Sequence, residues 1–340
     1  MSKEYEWKLT DLKHVKPNGL KVFSTFSCGG GSSMGYKLAG FELLGNCEID
    51  PQMMELYKKN LTPKLSFRSD IRDFNKIENL PDELFDLDVL DGSPPCSVFS
   101  LSGSREEAWG KEKKFREGQA KQVLDDLFFV YLDTVARLQP KVFVAENVKG
   151  MISGNAKGFV KMVIDKAQDI GYDVQIFLLN AATMGVPQRR ERVFFIGRRK
   201  DLNLPKLTLD FNEQPIPYKE IKSGYGSKLK EKTKTYKRWL KRIPTDNSMA
   251  SIAERTEGKK NNFNTVLLKG NKVAPTIASN SSFVRYDEPY YASERDIRLI
   301  QTFPLDYEFL NASAQYVCGM SVPPVMMKKI AEQIKIQLFS

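Results

Sequence analysis

The 340-residue sequence contains a single histidine, His14, near its N-terminus. A histidine-based triad or multi-histidine metal site is therefore nearly excluded, and general acids or bases must come from carboxylates, lysine, tyrosine or cysteine. Cysteine is almost as scarce. Cys28, Cys47, Cys96 and Cys318 are widely separated and form no CxxC pair, which argues against both zinc and a disulfide framework. No apolar run approaches the roughly 18–20 residues of a membrane span. The opening MSKEYEWKLTDLKHVKPNG is polar and has no apolar signal core. The expectation from these absences is a cytoplasmic chain with no membrane association and no metal.

What the chain does have is length and positive charge. Its size suffices for one large domain plus a smaller one. The net charge is +10, and between Lys219 and Arg242 ten cations accompany only Glu220 and Glu231. A run of this kind is either a solvated surface loop or a surface for an acidic partner, nucleic acid first. Tyr225, Tyr236 and Trp239 lie among the charges, where they could stack on bases, which favours nucleic acid.

The stretch Asp88–Gly103, DVLDGSPPCSVFSLSG, is the focal point. Apolar residues end in Gly92-Ser93-Pro94-Pro95, which continues neither strand nor helix. Cys96 follows on this stiff shelf. It reads either as a nucleophile under a lid formed by roughly 97–119, or as a small core hydrophobe.

Upstream, Leu20–Phe26 has the composition of a strand and runs into Ser27-Cys28-Gly29-Gly30-Gly31, followed by a helical pattern. Strand, glycine turn and helix form the nucleotide-binding opening of a doubly wound α/β domain. Phe41–Asp50 reads as the next strand, placing Glu48 at the right distance to accept hydrogen bonds from ribose hydroxyls. Asp70 closes another strand and is a candidate for adenine or ribose. Lys141–Val148 is a buried strand ending in Glu146-Asn147. A partly buried Glu146 would have a raised pKa and could act as an acid, unless the pair only caps the next helix. Gln188–Arg192 carries an arginine cluster into a further strand, suited to phosphate or base oxygens. After Arg199 the pattern breaks up. Expected boundaries are 1–199 for the cofactor domain, 200–315 for a recognition domain, and 316–340 returning to the first.

In this order the pieces resemble the cytosine-5 DNA methyltransferase family of the bacterial restriction-modification type. The resemblance spans nearly the whole chain. It rests on the Phe26–Gly31 loop, Pro94-Pro95-Cys96, Glu146-Asn147-Val148, Gln188–Arg192 and Ser321-Val322-Pro323-Pro324. It implies a Rossmann-like S-adenosylmethionine-dependent α/β domain with a mostly parallel twisted sheet, plus a smaller irregular target-recognition domain. It implies S-adenosyl-L-methionine as cofactor, held by Phe26, Gly30, Gly31, Glu48, Asp70, Ile71, Pro94 and Ser321. Cys96 matches the nucleophile, Glu146 the acid on the target ring, and Asn147 the residue that fixes its loop. Arg192 matches the contact to the cytosine carbonyl, and Arg190 completes the catalytic set. Arg295 and Arg298 match a supporting element. The substrate implied is double-stranded DNA at a specific sequence, in a nucleoid-associated setting. The resemblance leaves room for a companion restriction endonuclease as a functional partner.

Three positions depart from the pattern: Cys28 for the usual first glycine, Asp296 for the usual glutamate, and Met320 for an asparagine that helps hold the cofactor's amino-acid end. The alternatives are methylation of tRNA, a non-catalytic DNA-binding regulator on the same fold, and, from the glycine loop alone, a nicotinamide dehydrogenase.

Overall fold

The computed structural model describes residues 3–95, 126–153, 157–258 and 265–340. Cys96 and the lid expected over 97–119 lie outside the described residues. The chain divides into two compact units. The sheet unit comprises His14–Asn180, Glu191–Asp210 and Met327–Ser340; the second unit comprises Met1–Lys13, Ala181–Arg190 and Phe211–Met326.

Eleven strands are described: β1 (Lys21–Thr25), β2 (Glu42–Cys47), β3 (Leu65–Phe67), β4 (Val89–Gly92), β5 (Val142–Val148), β6 (Tyr172–Asn180), β7 (Gln188–Arg189), β8 (Glu191–Arg199), β9 (Thr265–Leu268), β10 (Ala274–Pro275) and β11 (Ser282–Arg285). The sheet unit has seven of them, in the order β3-β2-β1-β4-β5-β8-β6. The first five run parallel, and β8 is antiparallel to both β5 and β6. This is the expected mostly parallel α/β sheet. Its order reverses between β1 and β4, so the crevice at their carboxyl ends is where such sheets bind ligands.

Local sequence explains these elements. Val22, Phe23, Val89, Leu90, Val142, Phe143 and Val144 are buried, the continuous apolar content of strands covered on both faces. Asp50 caps the helix Pro51–Leu61 by accepting from the N–H groups of Gln52 and Met53, with proline at the first helical position. The helix Leu127–Leu138 packs Phe128, Tyr131, Leu132 and Val135 into the core. The Tyr131 hydroxyl donates to the carbonyls of Leu90 and Val144, keeping its polar end satisfied inside that core. No helix among the described residues is long and apolar enough to cross a membrane.

The second unit is built from short elements. β9 pairs with β11 and β7 with β10, all parallel. Leu229, Trp239, Met249, Ile252, Leu267 and Val284 form one of its cores. This division differs from the expected boundaries at both ends of the chain. The first residues belong to the second unit because the Trp7 indole donates to the Thr302 carbonyl and the Leu9 N–H donates to Asp306. The return to the sheet unit comes at Met327, inside the helix Pro324–Leu338, and not at 316.

Candidate active site

In the sheet unit the turn after β1 is tightly wound. Phe26, Cys28 and Gly30 have φ of 51°, 46° and 82°, all left-handed. Two non-glycine residues in this region store strain, which is found where backbone must approach a ligand. A side chain at Gly30 would be strained by its left-handed backbone. A Cβ there would meet Leu61 Cδ1 at 2.4 Å and the Tyr57 ring at 3.1 Å. Gly30 is also the N-cap of the helix Gly31–Leu38, with no side chain capping it, so first-turn N–H groups are presented at the loop.

Glu48 lies just beyond β2, almost fully buried. Its carboxylate accepts from the Cys28 N–H at 2.7 Å and the Asp50 N–H at 2.9 Å. Burial pushes its pKa up, and these backbone bonds oppose the rise. The result is a fixed acceptor tied to the glycine turn. The loop backbone and this acceptor suit an adenosine-bearing cofactor with ribose hydroxyls.

Asp70 has a different occupation from the one expected. It is the N-cap of the short helix Ile71–Phe74, accepts from the Arg72 N–H at 2.8 Å, and pairs with the Arg72 guanidinium at 3.3 Å. Ile71 is buried in the apolar core.

At the end of β5, the Asn147 amide donates to the Pro94 carbonyl at 3.0 Å, and its oxygen accepts from the Val148 N–H. The shelf that leads to Cys96 is therefore clamped to the strand carrying Glu146. Across the antiparallel pairing, Val148 faces Arg192. The Arg192 Nε lies 3.0 Å from Glu146 Oε1, with both side chains largely buried. Burial lowers the Arg192 pKa, and the neighbouring Glu146 opposes that shift.

Asp91 belongs to no motif that marks it in the sequence. It is buried near the end of β4, accepting from Ser24 Oγ at 3.2 Å and Ser32 Oγ at 3.1 Å. Ser24 also accepts from Ser33, which accepts from the Tyr57 hydroxyl. The available signal was an aspartate within an otherwise apolar strand, with serines flanking the glycine turn.

In the second unit Arg190 is buried and its guanidinium donates to the carbonyls of Ile277 and Gly319 at 3.1 and 3.2 Å. Gln188 likewise bridges the Ile300 carbonyl, Gln301 and the Ile277 N–H. These are struts, a different use from the catalytic one expected of Arg190. Ser321 is buried, its carbonyl accepts from Gln301, and its hydroxyl has no hydrogen-bond partner among the described residues. Met320, at the position where the family pattern has asparagine, is 41% exposed.

The basic window is also redistributed. Trp239 is not a stacking surface: it is buried in the second unit's core and its indole donates to the Arg285 carbonyl at 2.9 Å. Tyr236 stacks on it, and Arg238 is paired with Glu257 at 2.7 Å. Of the three aromatics only Tyr225 is widely exposed, at 67%.

Residues 20–336 match the model of the C-5 cytosine-specific DNA methylase family. The chain is 33% identical over 349 residues to the type II methyltransferase M.FnuDI of Fusobacterium nucleatum, covering 93% of this chain and 94% of that protein. It is 25% identical to M1.HphI of Haemophilus parahaemolyticus, covering 93% and 86%. A mutant of Spodoptera frugiperda DNMT2 shares the fold at 17% identity with a TM-score of 0.64, covering 93% of this chain and 99% of that one. The chain belongs to the C-5 cytosine-specific DNA methylase family and is an S-adenosylmethionine-dependent DNA cytosine-5 methyltransferase.

Proposed function

We propose that the chain methylates a flipped-out cytosine within a specific duplex sequence through a covalent bond between Cys96 and C6 of the base. The observation that carries this reading is the Glu146–Arg192 pair at 3.0 Å, on strands clamped through Asn147 to the Pro94 shelf. Carbon 5 of cytosine is a poor nucleophile. Addition of the Cys96 thiolate at C6 turns the ring into an enamine and makes C5 reactive. Glu146, protonated, donates to N3, and Arg192 holds O2, so that developing charge meets oriented partners. S-adenosylmethionine supplies an electrophilic methyl group when bound. A base then takes the C5 proton, the C5–C6 double bond re-forms and the Cys96 thiolate leaves, a step that fluorine at C5 blocks. Phe26, Gly30, Gly31 and Glu48 are proposed to hold the cofactor through loop backbone and ribose hydroxyls. Pro94 stays a proposed contact through the shelf, Ser321 through its unpartnered hydroxyl, and Asp70 and Ile71 at the adenine through backbone, since the Asp70 carboxylate already caps a helix. We assign Arg190 a scaffold role.

Because the target atom is inaccessible inside a duplex, the base must leave the stack. The second unit, with its lysine-rich window, is proposed to recognise DNA, and residues 97–119 to close over the base. The names of the relatives support a restriction-modification setting with a companion endonuclease, in the cytoplasm at the nucleoid.

Incubation with cofactor and duplex DNA carrying 5-fluorocytosine should trap a covalent complex that survives denaturing electrophoresis. Cys96→Ser should abolish the complex and methylation while leaving DNA binding measurable. Bisulfite sequencing of DNA from cells expressing the chain should reveal the target. A wild-type protein that methylates duplex DNA without forming the adduct would sink the covalent reading.

A further inference from the structure

Asp91 is a buried carboxylate whose side-chain hydrogen bonds, among the described residues, come from hydroxyls alone. Ser24 on β1 and Ser32 in the first turn of Gly31–Leu38 each occupy one of its oxygens. Among the described residues no lysine or arginine ion pair reaches it, and burial pushes its pKa up to about 7. A buried charge without a counter-ion is strongly disfavoured. If Asp91 only tied β4 to β1 and the cofactor helix, a neutral amide or hydroxyl would serve without that penalty. The charge itself calls for a use. It sits one residue from the end of β4, below the crevice where the sheet order reverses. The methyl donor carries a positive sulfonium, and the product left after transfer is a neutral thioether.

We propose that Asp91 is a counter-charge that makes the site favour the cationic methyl donor over its neutral product. The inference rests on the cofactor reading of Phe26–Gly31 and Glu48. The carboxylate is a positioning charge, held by Ser24 and Ser32, that need not touch the ligand. In a water-poor interior an anion acts over several ångströms. The titratable groups facing it are Tyr36 beyond Ser32 on the same helix, Tyr57 from Pro51–Leu61, Tyr131 from Leu127–Leu138, and Glu146 from β5. Burial holds all three tyrosines protonated well above neutral pH, and Glu146 has Arg192 beside it. Between about pH 6 and pH 8.5 Asp91 passes from mostly protonated to mostly ionised.

The test is calorimetric titration of the full chain with S-adenosylmethionine and with S-adenosylhomocysteine at both pH values. The two ligands differ at the sulfur, so the ratio of their dissociation constants cancels contributions common to both. In wild type the ratio should move toward the methyl donor by roughly tenfold as pH rises. In Asp91→Asn it should stay flat. A wild-type ratio independent of pH overturns the proposal, and this arm needs no variant to fold. An unchanged pH dependence in Asp91→Asn also overturns it. If neither ligand binds, the cofactor reading itself has failed, whereas failure of this inference alone leaves both ligands bound at a constant ratio.

Discussion

Two buried aspartates show how differently the two units treat charge. Asp296, in the second unit, is 0% exposed and fully provided for. The Arg285 guanidinium lies at 2.9 Å, the Tyr218 hydroxyl at 3.0 Å, and the Ser223 and Ser293 N–H groups at 2.8 and 2.9 Å. Burial works against the charge on Arg285, but Asp296, Tyr218 and Glu288 outweigh it and raise its pKa. Asp91, in the sheet unit, is almost as deeply buried and, among the described residues, is met by hydroxyls and by no lysine or arginine. The left-handed Phe26 and Cys28 lie in the same unit, in the turn proposed to hold the cofactor, although the second unit has left-handed residues of its own at Thr302 and Leu310. A network that satisfies every member holds shape. The uncompensated charge of Asp91 is the one we propose that a ligand uses. The family's usual glutamate is shortened to aspartate at 296, yet this side chain both completes the capping box of Glu294–Gln301 and meets Arg285.

The largest effect should come from breaking the compensated side. Asp296→Ala leaves the Arg285 guanidinium buried without its main partner and should cost about 3–5 kcal/mol of stability. Urea unfolding measures this. Adding Arg285→Met to the same chain should recover part of the loss, because the stranded charge is gone. Equal loss in the single and double variants would mean that packing, and not charge, dominates the cluster.

The uncompensated side should show itself through pH. The Asp91 carboxyl titrates near 3.8 when unfolded and near 7 when folded. Between those values the folded chain holds the extra proton, so stability falls as pH rises through the window and levels off above about 7. Comparing wild type with Asp91→Asn isolates this contribution. Relative to the variant, wild type should lose up to a few kcal/mol between about pH 5 and pH 8. A difference independent of pH would place a counter-ion beside Asp91 and remove the contrast with Asp296.

These two clusters also mark the limit of what is legible in the sequence. The elements around the site were readable because their signals are local: the apolar run Val142–Ala145, the glycine turn, and the proline shelf before Cys96. Glu146 and Arg192 were each identifiable from motifs. Their contact depends on β8 turning antiparallel to β5, which nothing local dictates. Asp91 finds Ser24 because β4 lies beside β1, 67 residues away in sequence. Trp239 was misread for the same reason: its burial is set by residues such as Leu267 and Val284, well downstream. Asp70 is the opposite case. An aspartate two residues before Arg72, at the start of Ile71–Phe74, is a helix cap that local rules can identify, which leaves the proposed adenine contact to its backbone.

The smallest predicted effect concerns the glycine turn, where the contrast between strain and satisfaction occurs within three residues. Cys28 has φ of 46° and so takes a conformation that glycine adopts without penalty. Cys28→Gly removes roughly 1 kcal/mol of strain. It also frees the unfolded chain and gives up the Sγ contact with Met53 at 3.7 Å. The net change should be within about 1 kcal/mol of zero, with cofactor affinity retained, since Glu48 holds the Cys28 N–H and not its sulfur. Gly30→Ala should behave otherwise, because its Cβ would overlap Leu61 Cδ1 at 2.4 Å in a left-handed position. Thermal unfolding and cofactor titration of the two variants decide between these cases. A Cys28→Gly protein that binds cofactor much more weakly would show that the thiol, and not the backbone it occupies, shapes the loop.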